Sequence, residues 1–526
     1  MSADRSALPG GPATPGTSDS PATPPGPGPA PVRPSRRTSV RTRAARAAGA
    51  AAGAASRLLG RGAGEVVAGR VVLRLAPDAV HELAGERVAA VVSATNGKTT
   101  TTRMLTAALA ARPETPAGTS RGLRGVVSNG GGANMRAGIV TALTSGPGDA
   151  VLEVDEMHLA GLLPELAPRV VLLMNLSRDQ LDRTAETRQL AAGWRRALTG
   201  LAEGPAGRGV VVANADDPLV VWAASAAPRV VWVSVGASWT ADARSCPRCE
   251  QLLTLPGDPG DGRDGGGDGG GWRCPSCGLA RPAPDVVLEG DAVRELDAVR
   301  ARDGGSDGGS DGGGADVRHV VRLALPGQAN RRNAAMAAVA ARELGVPVGD
   351  ALAAVADLGD VAGRYAWLRA EGVRFWLLLA KNPAGWVENF EVMGASGRPL
   401  VLAVNAQGAD GRDTSWIYDV PFERLRGRRV VVAGERAADL SLRLAVAGVE
   451  HARVPALADA LRAARALGTG QGGTVGGRDV VASTGAGNGP VTPAEEVDVV
   501  GNYTAFQQLR RLAAAQGPAA AAGSRR

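Results

Sequence analysis

Cysteine is scarce in this chain of 526 residues: there are four, all between positions 246 and 277. A disulfide framework spread over the fold is therefore excluded. Aromatic side chains make up 3% of the residues, so aliphatic groups must fill the interior. No uninterrupted apolar run reaches the roughly 18 residues that a membrane-spanning helix needs. Histidine occurs four times, as His81, His158, His319 and His451, in unrelated contexts. Acidic excess is also missing: 59 Lys and Arg face 52 Asp and Glu, a formal +7. That charge sits at the ends. Residues 1–46 carry +5 and residues 509–526 carry +4, which leaves about −2 for everything between. A nearly neutral body with few aromatics does not point to a nucleic-acid surface.

Residues 1–55 read as a disordered, basic arm rich in Pro and Ala, running into an Ala-rich helix near 44–59. Ser35-Arg36-Arg37-Thr38-Ser39-Val40 has the outline of a twin-arginine export signal, but Arg41, Arg43 and Arg46 interrupt the apolar stretch such a signal requires. From about residue 68 an α/β alternation begins. Apolar runs at Val88–Val92, Ala150–Val154, Val170–Leu173, Val210–Val212 and Val230–Val235 predict buried strands, with helices over Thr100–Ala111 and Thr187–Leu198. The pattern implies a mainly parallel sheet covered on both faces. A break over about 240–316 holds the cysteines and two Gly/Asp tracts. Helices at Ala329–Leu344 and Gly349–Leu358 follow, then strands at Arg374–Ala380, Leu400–Asn405, Val430–Ala433 and Asp479–Ala482. The domains expected are 56–345, with an insert at about 240–285, then 346–512 and a flexible tail at 513–526.

The strongest chemical signal is Ala94-Thr95-Asn96-Gly97-Lys98-Thr99-Thr100-Thr101, placed after an apolar strand and before a helix. Successive backbone N–H groups at a helix start favour phosphate oxygens. Lys98 is suited to the β/γ-phosphates and the Thr99 hydroxyl to Mg²⁺. ATP is thus the expected ligand, held by Asn96, Gly97, Lys98, Thr99 and Thr100. The second signal is Cys246-Pro-Arg-Cys249 and Cys274-Pro-Ser-Cys277, two knuckles separated by 24 residues. Two such turns bring four thiolates to the corners of a tetrahedron, a closed structural Zn²⁺ ribbon.

The phosphate loop resembles that of the Mur ligase family of ATP-dependent amide-forming enzymes. So do Leu152-Glu153-Val154-Asp155-Glu156, the segment Asn175 to Asp182, Asn214-Ala-Asp216-Asp217-Pro218 and Pro326-Gly-Gln-Ala-Asn330-Arg-Arg-Asn333. The resemblance implies a Mg²⁺ role for Glu153 beside Thr99 and adenine-facing roles for Asn330 and Asn333. It departs from the family where Gln180 stands in place of a usual histidine metal ligand. The customary UDP-sugar domain is also expected to be absent, since only about 30 plausible ordered residues precede the first strand.

Within the family, the inserted ribbon, Gly363-Arg364-Tyr365, the run Leu379 to Gly385, and Ala409-Asp410-Gly411-Arg412-Asp413-Thr-Ser-Trp416-Ile-Tyr-Asp419 resemble the MurT branch. The implied fold is α/β: a Mur ligase central P-loop domain with an inserted four-cysteine zinc ribbon, followed by a Rossmann-like C-terminal α/β domain. The implied reaction is ATP-dependent amidation of the D-glutamate α-carboxyl in the lipid II stem peptide, through an acyl phosphate, at the cytoplasmic face of the membrane. All four cysteines are assigned to zinc, so no cysteine nucleophile remains for a glutaminase. Ammonia is expected from a separate GatD-like glutaminase subunit in a heterodimer. Asp413 is the residue expected to orient that partner's catalytic histidine, with Asp410 and Asp419 as the other candidates. Two rival readings are a ligase resembling folylpolyglutamate synthase and a zinc-ribbon ATPase acting on nucleic acid. Salt-sensitive polynucleotide binding distinguishes the second, and ATP binding without turnover would mark a scaffold.

Overall fold

The computed structural model describes residues 38–515 apart from 60–63, 113–124, 179–186, 203–208, 237–240, 257, 259–270, 297–316, 360–364, 371, 395, 408–412 and 468–494. The first elements are three helices, α1 (Val40–Leu58), α2 (Glu65–Leu75) and α3 (Ala79–Ala84). The arm expected to be disordered through residue 55 thus ends earlier. Ser39 caps α1 by accepting from the Thr42 N–H at 3.1 Å, and Thr42, Ala45, Gly49, Gly53 and Ser56 form a buried stripe at helical spacing. Alanine and glycine let that stripe pack tightly although it lacks large apolar groups.

Next come β1 (Val88–Ser93), α4 (Lys98–Ala110), β2 (Val126–Ser128), α5 (Arg136–Ser145), β3 (Asp149–Glu153), α6 (Leu159–Leu166), β4 (Val170–Leu173), α7 (Thr187–Thr199), β5 (Val210–Asn214), α8 (Pro218–Ala224) and β6 (Val230–Ser234). After the insert follow β7 (Val286–Glu289), β8 (Ala292–Glu295), β9 (Val317–Val320), α9 (Gln328–Glu343) and α10 (Val348–Val355). One sheet holds the strands in the order β2-β3-β1-β4-β5-β6-β7-β8-β9. Its β2 to β7 portion is parallel, as the apolar runs imply, whereas β7, β8 and β9 pair antiparallel. That antiparallel edge is not apparent in the sequence because its strands mix buried and charged residues. β1 is buried along its whole length, as a strand covered on both faces must be. Val348, Ala351, Leu352 and Val355 of α10 belong to the same core as α4 and α9. The change of domain therefore falls after Leu358, which packs there too, and not at residue 345.

The second sheet contains β10 (Tyr365–Ala370), β11 (Val373–Leu379), β12 (Leu400–Ala403), β13 (Val430–Ala433), β14 (His451–Arg453) and β15 (Glu496–Gly501). The order is β10-β11-β15-β12-β13-β14, parallel except for the β10–β11 hairpin. Helices α11 (Pro383–Met393), α12 (Ala437–Val446), α13 (Leu457–Ala466) and α14 (Tyr503–Ala515) accompany it. The expected strand at 479–482 lies outside the described residues. Among the described residues, no helix is long and apolar enough to cross a membrane.

Candidate active site

β1 delivers the chain into the phosphate loop, and the end of β4 clamps it. Thr95 N–H donates to the Asn175 carbonyl at 3.0 Å, and Asn96 N–H donates to Asn175 Oδ1 at 2.9 Å. Asn175 Nδ2 returns a bond to the Asn96 carbonyl at 3.0 Å. Gly97 then turns with φ +86°, and a Cβ there would lie 2.5 Å from Asn333 Oδ1. Both the left-handed backbone and the close approach require glycine. α4 begins at Lys98, so its free N–H groups face the loop.

Lys98 and Thr99 each meet an acid from the β3 end. Lys98 Nζ pairs with Glu156 Oε2 at 2.7 Å and also donates to the carbonyls of Ala94 and Thr95. Both side chains of the pair are buried. The Thr99 hydroxyl donates to Glu153 Oε2 at 2.9 Å, and Asn134 Nδ2 donates to Glu153 Oε1 at 3.2 Å. Asn129 fixes the Glu153 backbone, accepting from its N–H at 2.7 Å and donating to its carbonyl at 2.8 Å. The hydroxyl and carboxylate expected to hold Mg²⁺ are therefore adjacent, and their oxygen chemistry suits that hard cation.

A cavity of about 530 Å³ opens beside the loop, lined by Asn96, Gly97 and Thr100 of the loop and by Asn330 and Asn333 of α9. Its volume suits a nucleotide-sized ligand. The five residues Asn96, Gly97, Thr100, Asn330 and Asn333 are thus brought together, while Lys98, Thr99 and Glu153 gather at the phosphate end. Gln180 lies outside the described residues.

The inserted ribbon forms part of this cavity. Trp272 is a lining residue, and its Nε1–H donates to the Ala215 carbonyl at 3.3 Å. Arg281, just after the second knuckle, donates to Asp216 Oδ1 at 2.7 Å and to Ser234 Oγ at 2.6 Å. Asp216 also accepts from the N–H groups of Val235 and Gly236 at 2.8 and 2.6 Å, tying the β5 turn to the β6 end. Neighbouring Asp217 is half-buried, and desolvation pushes its carboxyl up to about 6 against three backbone donors, Leu176, Val220 and Leu219. Sequence reasoning did not find the roles of Trp272, Arg281 or Glu156. Glu156 had a signal, since it is the second acid to follow the Glu153 strand end.

All four cysteine sulfurs lie within 4.8 Å of one another, with Cys246–Cys277 at 3.6 Å and Cys249–Cys274 at 3.4 Å. Zn–S bonds of about 2.3 Å in a tetrahedron require S···S separations near 3.8 Å, so the set fits Zn²⁺. Each knuckle closes in the same way: Glu250 N–H donates to the Cys246 carbonyl at 2.8 Å, and Gly278 N–H to the Cys274 carbonyl at 3.2 Å. Glu250 and Gly278 both take positive φ, 66° and 74°. Burial pushes the Cys246 thiol up to about 12. Burial acts upward on Cys274 as well, but the N–H groups of Cys277 and Ser276 bring it down to about 6.

The second domain meets the phosphate loop through Asn382, which caps α11 by accepting from Gly385 N–H at 3.0 Å. Its amide exchanges bonds with that of Asn96, at 3.3 Å in each direction. Asp413 is not among the cavity residues; it is exposed, and its Oδ1 accepts from Ser415 N–H at 2.9 Å. Asp419 pairs with Arg178 at 2.9 Å, and Arg178 also holds Asp242 at 2.6 Å. Asp410 lies outside the described residues.

Two family models match the chain: the Mur ligase middle domain over residues 92–249 and the MurT ligase C-terminal domain over residues 379–474. The MurT subunit of lipid II isoglutaminyl synthase (glutamine-hydrolyzing) from Staphylococcus aureus strain N315 is 29% identical over 414 residues, 75% of this chain and 85% of that relative. The corresponding subunit from Streptococcus pneumoniae strain ATCC BAA-255 / R6 is 28% identical over 409 residues, 74% of this chain and 83% of that one. Among solved structures, a pseudomurein peptide ligase type C from Methanothermus fervidus superposes with a TM-score of 0.52 at 17% identity. That match covers 82% of this chain and 79% of the other, and at such identity it speaks to the fold alone.

Proposed function

Because the chain belongs to the Mur ligase family, with its middle domain and the C-terminal domain of the MurT branch, we propose that it is the synthetase subunit of a lipid II amidating enzyme. Its substrate is the D-glutamate α-carboxyl of the stem peptide and its product is the amide, D-isoglutamine. The observation that carries this reading is the meeting of Thr99 with Glu153 beside a nucleotide-sized cavity, at a loop that Asn382 ties to the second domain.

A carboxylate is a poor electrophile, and phosphorylation gives it a leaving group. A carboxylate oxygen attacks the γ-phosphorus of ATP and ADP departs. Ammonia then attacks the carbonyl carbon of the acyl phosphate, loses a proton, and expels phosphate. The loop N–H groups and Lys98 stabilise charge on the transferring phosphoryl group. For Lys98 to do so, it must turn from Glu156 toward the phosphates. Mg²⁺, when bound at Thr99 and Glu153, supplies further charge neutralisation. Zn²⁺ at the four cysteines supplies structure alone, since no ligand position is left for substrate.

Ammonia comes from a separate glutaminase subunit. Asp413 serves that partner, and its exposure supports the role because a group facing another subunit must be accessible. The test is incubation of the purified chain with ATP, Mg²⁺ and lipid II in the presence of both ammonium and glutamate. Replacement of one stem-peptide hydroxyl by an amide, with matching ADP release, is the expected result. Incorporation of glutamate instead of ammonia would favour a ligase of the folylpolyglutamate synthase kind, and no ADP at all would sink the reading.

A further inference from the structure

The side chains expected at the phosphates, Lys98, Thr99 and Glu153, stand where β1 and β3 end, and the cavity runs away from them. It crosses the carboxyl ends of four neighbouring parallel strands, lined by Gly97 after β1, Ser177 after β4, Asp216 after β5 and Gly236 after β6. Open α/β sheets bind ligands in a crevice of this kind. Three strand spacings of about 4.8 Å make it about 15 Å long, room for a nucleoside beyond the phosphates. Helix α9 lies across it. Asn333 stands over the loop, where a Cβ on Gly97 would lie 2.5 Å from its Oδ1. The preceding residue, Arg332, turns instead toward the end of β6, and its Nε donates to the Val235 carbonyl at 3.0 Å.

Arg281 and Arg332 both line this end of the cavity, and they differ in what they hold. Arg281 is committed to Asp216 and Ser234. For Arg332, the bond to Val235 is the one hydrogen bond among the described residues, and no carboxylate there pairs with it. A guanidinium carries more N–H donors than any other side chain, so most of those on Arg332 are unspent. Nη1 is shut off from solvent without a partner among the described residues. Nη2 lies 3.8 Å from the place that a Cβ on Gly236 would occupy, so it borders the stretch of wall that this glycine contributes.

A half-buried cation with unspent donors is unfavourable until an acceptor meets it. Beside a phosphate loop, that acceptor belongs to the nucleotide. The phosphates are the wrong part of it, because their groups lie on the β1–β3 side and Arg332 is tied to β6. The nucleoside remains, and the ring nitrogens of its purine are acceptors without a hydrogen of their own. A ribose hydroxyl is the poorer match, since it also brings a donor that a guanidinium cannot accept.

We propose that Arg332 is a specificity-determining residue, donating to a ring nitrogen of the purine base of ATP. The proposal rests on the reading of this cavity as the ATP site. Calorimetric titration of the full chain with ATP and with its 1-deaza, 3-deaza and 7-deaza forms tests it, each analogue having one ring nitrogen replaced by C–H. Wild type should bind one of the three about tenfold more weakly than ATP. Arg332→Met keeps the length of the stem and removes the donors. It should bind ATP about tenfold more weakly and no longer discriminate against that same analogue. Its ratio of ATP to ADP affinity should match wild type, because the contact lies away from the γ-phosphate. Comparing ligands within one variant keeps the outcome independent of any loss of thermal stability. A Met variant that discriminates among the analogues as wild type does would overturn the proposal, since residue and ring nitrogen would then act independently. So would a penalty that disappears for 2′-deoxy- or 3′-deoxy-ATP instead, or a loss of affinity for ATP without a loss for ADP. The assay contains neither lipid II nor ammonium. Any of these failures with ATP still bound leaves the amidation reading standing, whereas a wild-type chain that binds no ATP would sink both.

Discussion

Asn96 of the phosphate loop and Asn382 of the second domain face each other amide to amide, each nitrogen 3.3 Å from the other's oxygen. The pair is a direct polar bridge between the nucleotide loop and the neighbouring domain. Because Asn382 Oδ1 also caps α11, the two roles are separable by substitution. Asn382→Ser keeps a capping oxygen but is too short to reach Asn96, whereas Asn382→Ala loses both. We expect Ala to cost about 1 kcal/mol of stability and Ser only about a few tenths. Both should raise the KM for ATP by a similar factor. A nucleotide KM that tracks stability, with Ser near wild type, would show that the cap alone matters.

Lys98 is held by Glu156 in a buried ion pair, and the proposed reaction requires the lysine to be released toward phosphate. Glu156→Gln removes the charge but leaves an acceptor, so the expected loss of stability is about 1–3 kcal/mol, below that of a fully broken buried pair. ATP supplies the missing counter-charge. The rise in Tm on adding saturating ATP and Mg²⁺ should therefore be larger in the variant than in wild type. An equal or smaller rise would mean that Glu156 does not compete with phosphate for Lys98.

Asp217 gives the protein a pH signature opposite to that of a salt-bridged acid. Burial raises its carboxyl from 3.8 to about 6, so the folded state binds the proton more tightly than the unfolded chain. Its contribution is most favourable below pH 3.8, falls as pH rises toward 6, and is absent above that, a difference of about 3 kcal/mol. Asp217→Asn should remove this downward slope from the stability curve between about pH 4 and 6. Below about pH 4 it should lower stability by about 1–3 kcal/mol, because the Leu176 N–H that faces Oδ2 would then face an amide NH₂, and this deficit should vanish or reverse above about pH 6, where the wild-type carboxyl is ionised. An unchanged slope in denaturant titrations at several pH values would assign the transition to another group.

The parts of the molecule legible in the sequence are those where one local signal suffices. β1 and α4 follow from an apolar run meeting a Gly-Lys-Thr turn, and the ribbon follows from two knuckles whose spacing has little other use. β15 was hidden because Asp498 sits fully buried inside it, which breaks the apolar run. Only the fold shows that Arg428, at 2.8 Å, and Ser396, at 2.9 Å, satisfy that acid. Lys98 was legible as a candidate phosphate ligand, but its pairing with Glu156 depends on where β3 ends. The Asn96–Asn382 bridge joins residues 286 apart in sequence, and no periodicity carries such a contact. Arg281 was likewise invisible as a cavity residue until the insert folded back on Asp216.

Trp272 and Arg281 connect the cysteine cluster to the nucleotide cavity, so metal loss should reach ATP binding. Removing Zn²⁺ with a chelator, or replacing Cys274 by Ser, should weaken nucleotide affinity as well as lower Tm. Arg281→Ala isolates the connection: zinc content should remain full, while ATP affinity drops about tenfold through the loss of one charge-assisted bond to Asp216. Calorimetric titration with a non-hydrolysable ATP analogue, alongside metal analysis, checks both. Full affinity in the metal-free protein would make the ribbon a bystander to the site.

Asp413 separates the two halves of the proposed reaction. Its carboxylate is exposed, holds the Ser415 N–H, and lies outside the cavity proposed for ATP, so the proposed synthetase chemistry does not require its charge. Asn at this position keeps the acceptor for Ser415 and removes the anion that would orient a partner's histidine. In the presence of the glutaminase subunit, Asp413→Asn should lower glutamine-driven amidation by about a thousandfold or more, the scale of removing a triad's orienting carboxylate. Amidation driven by free ammonium should remain within about twofold of wild type, because the barrier to acyl phosphate formation is untouched. Binding of the partner, measured by size exclusion, separates lost orientation from lost assembly. Equal loss with glutamine and ammonium would move Asp413 into the synthetase site and leave the glutaminase role to Asp419 or Asp410.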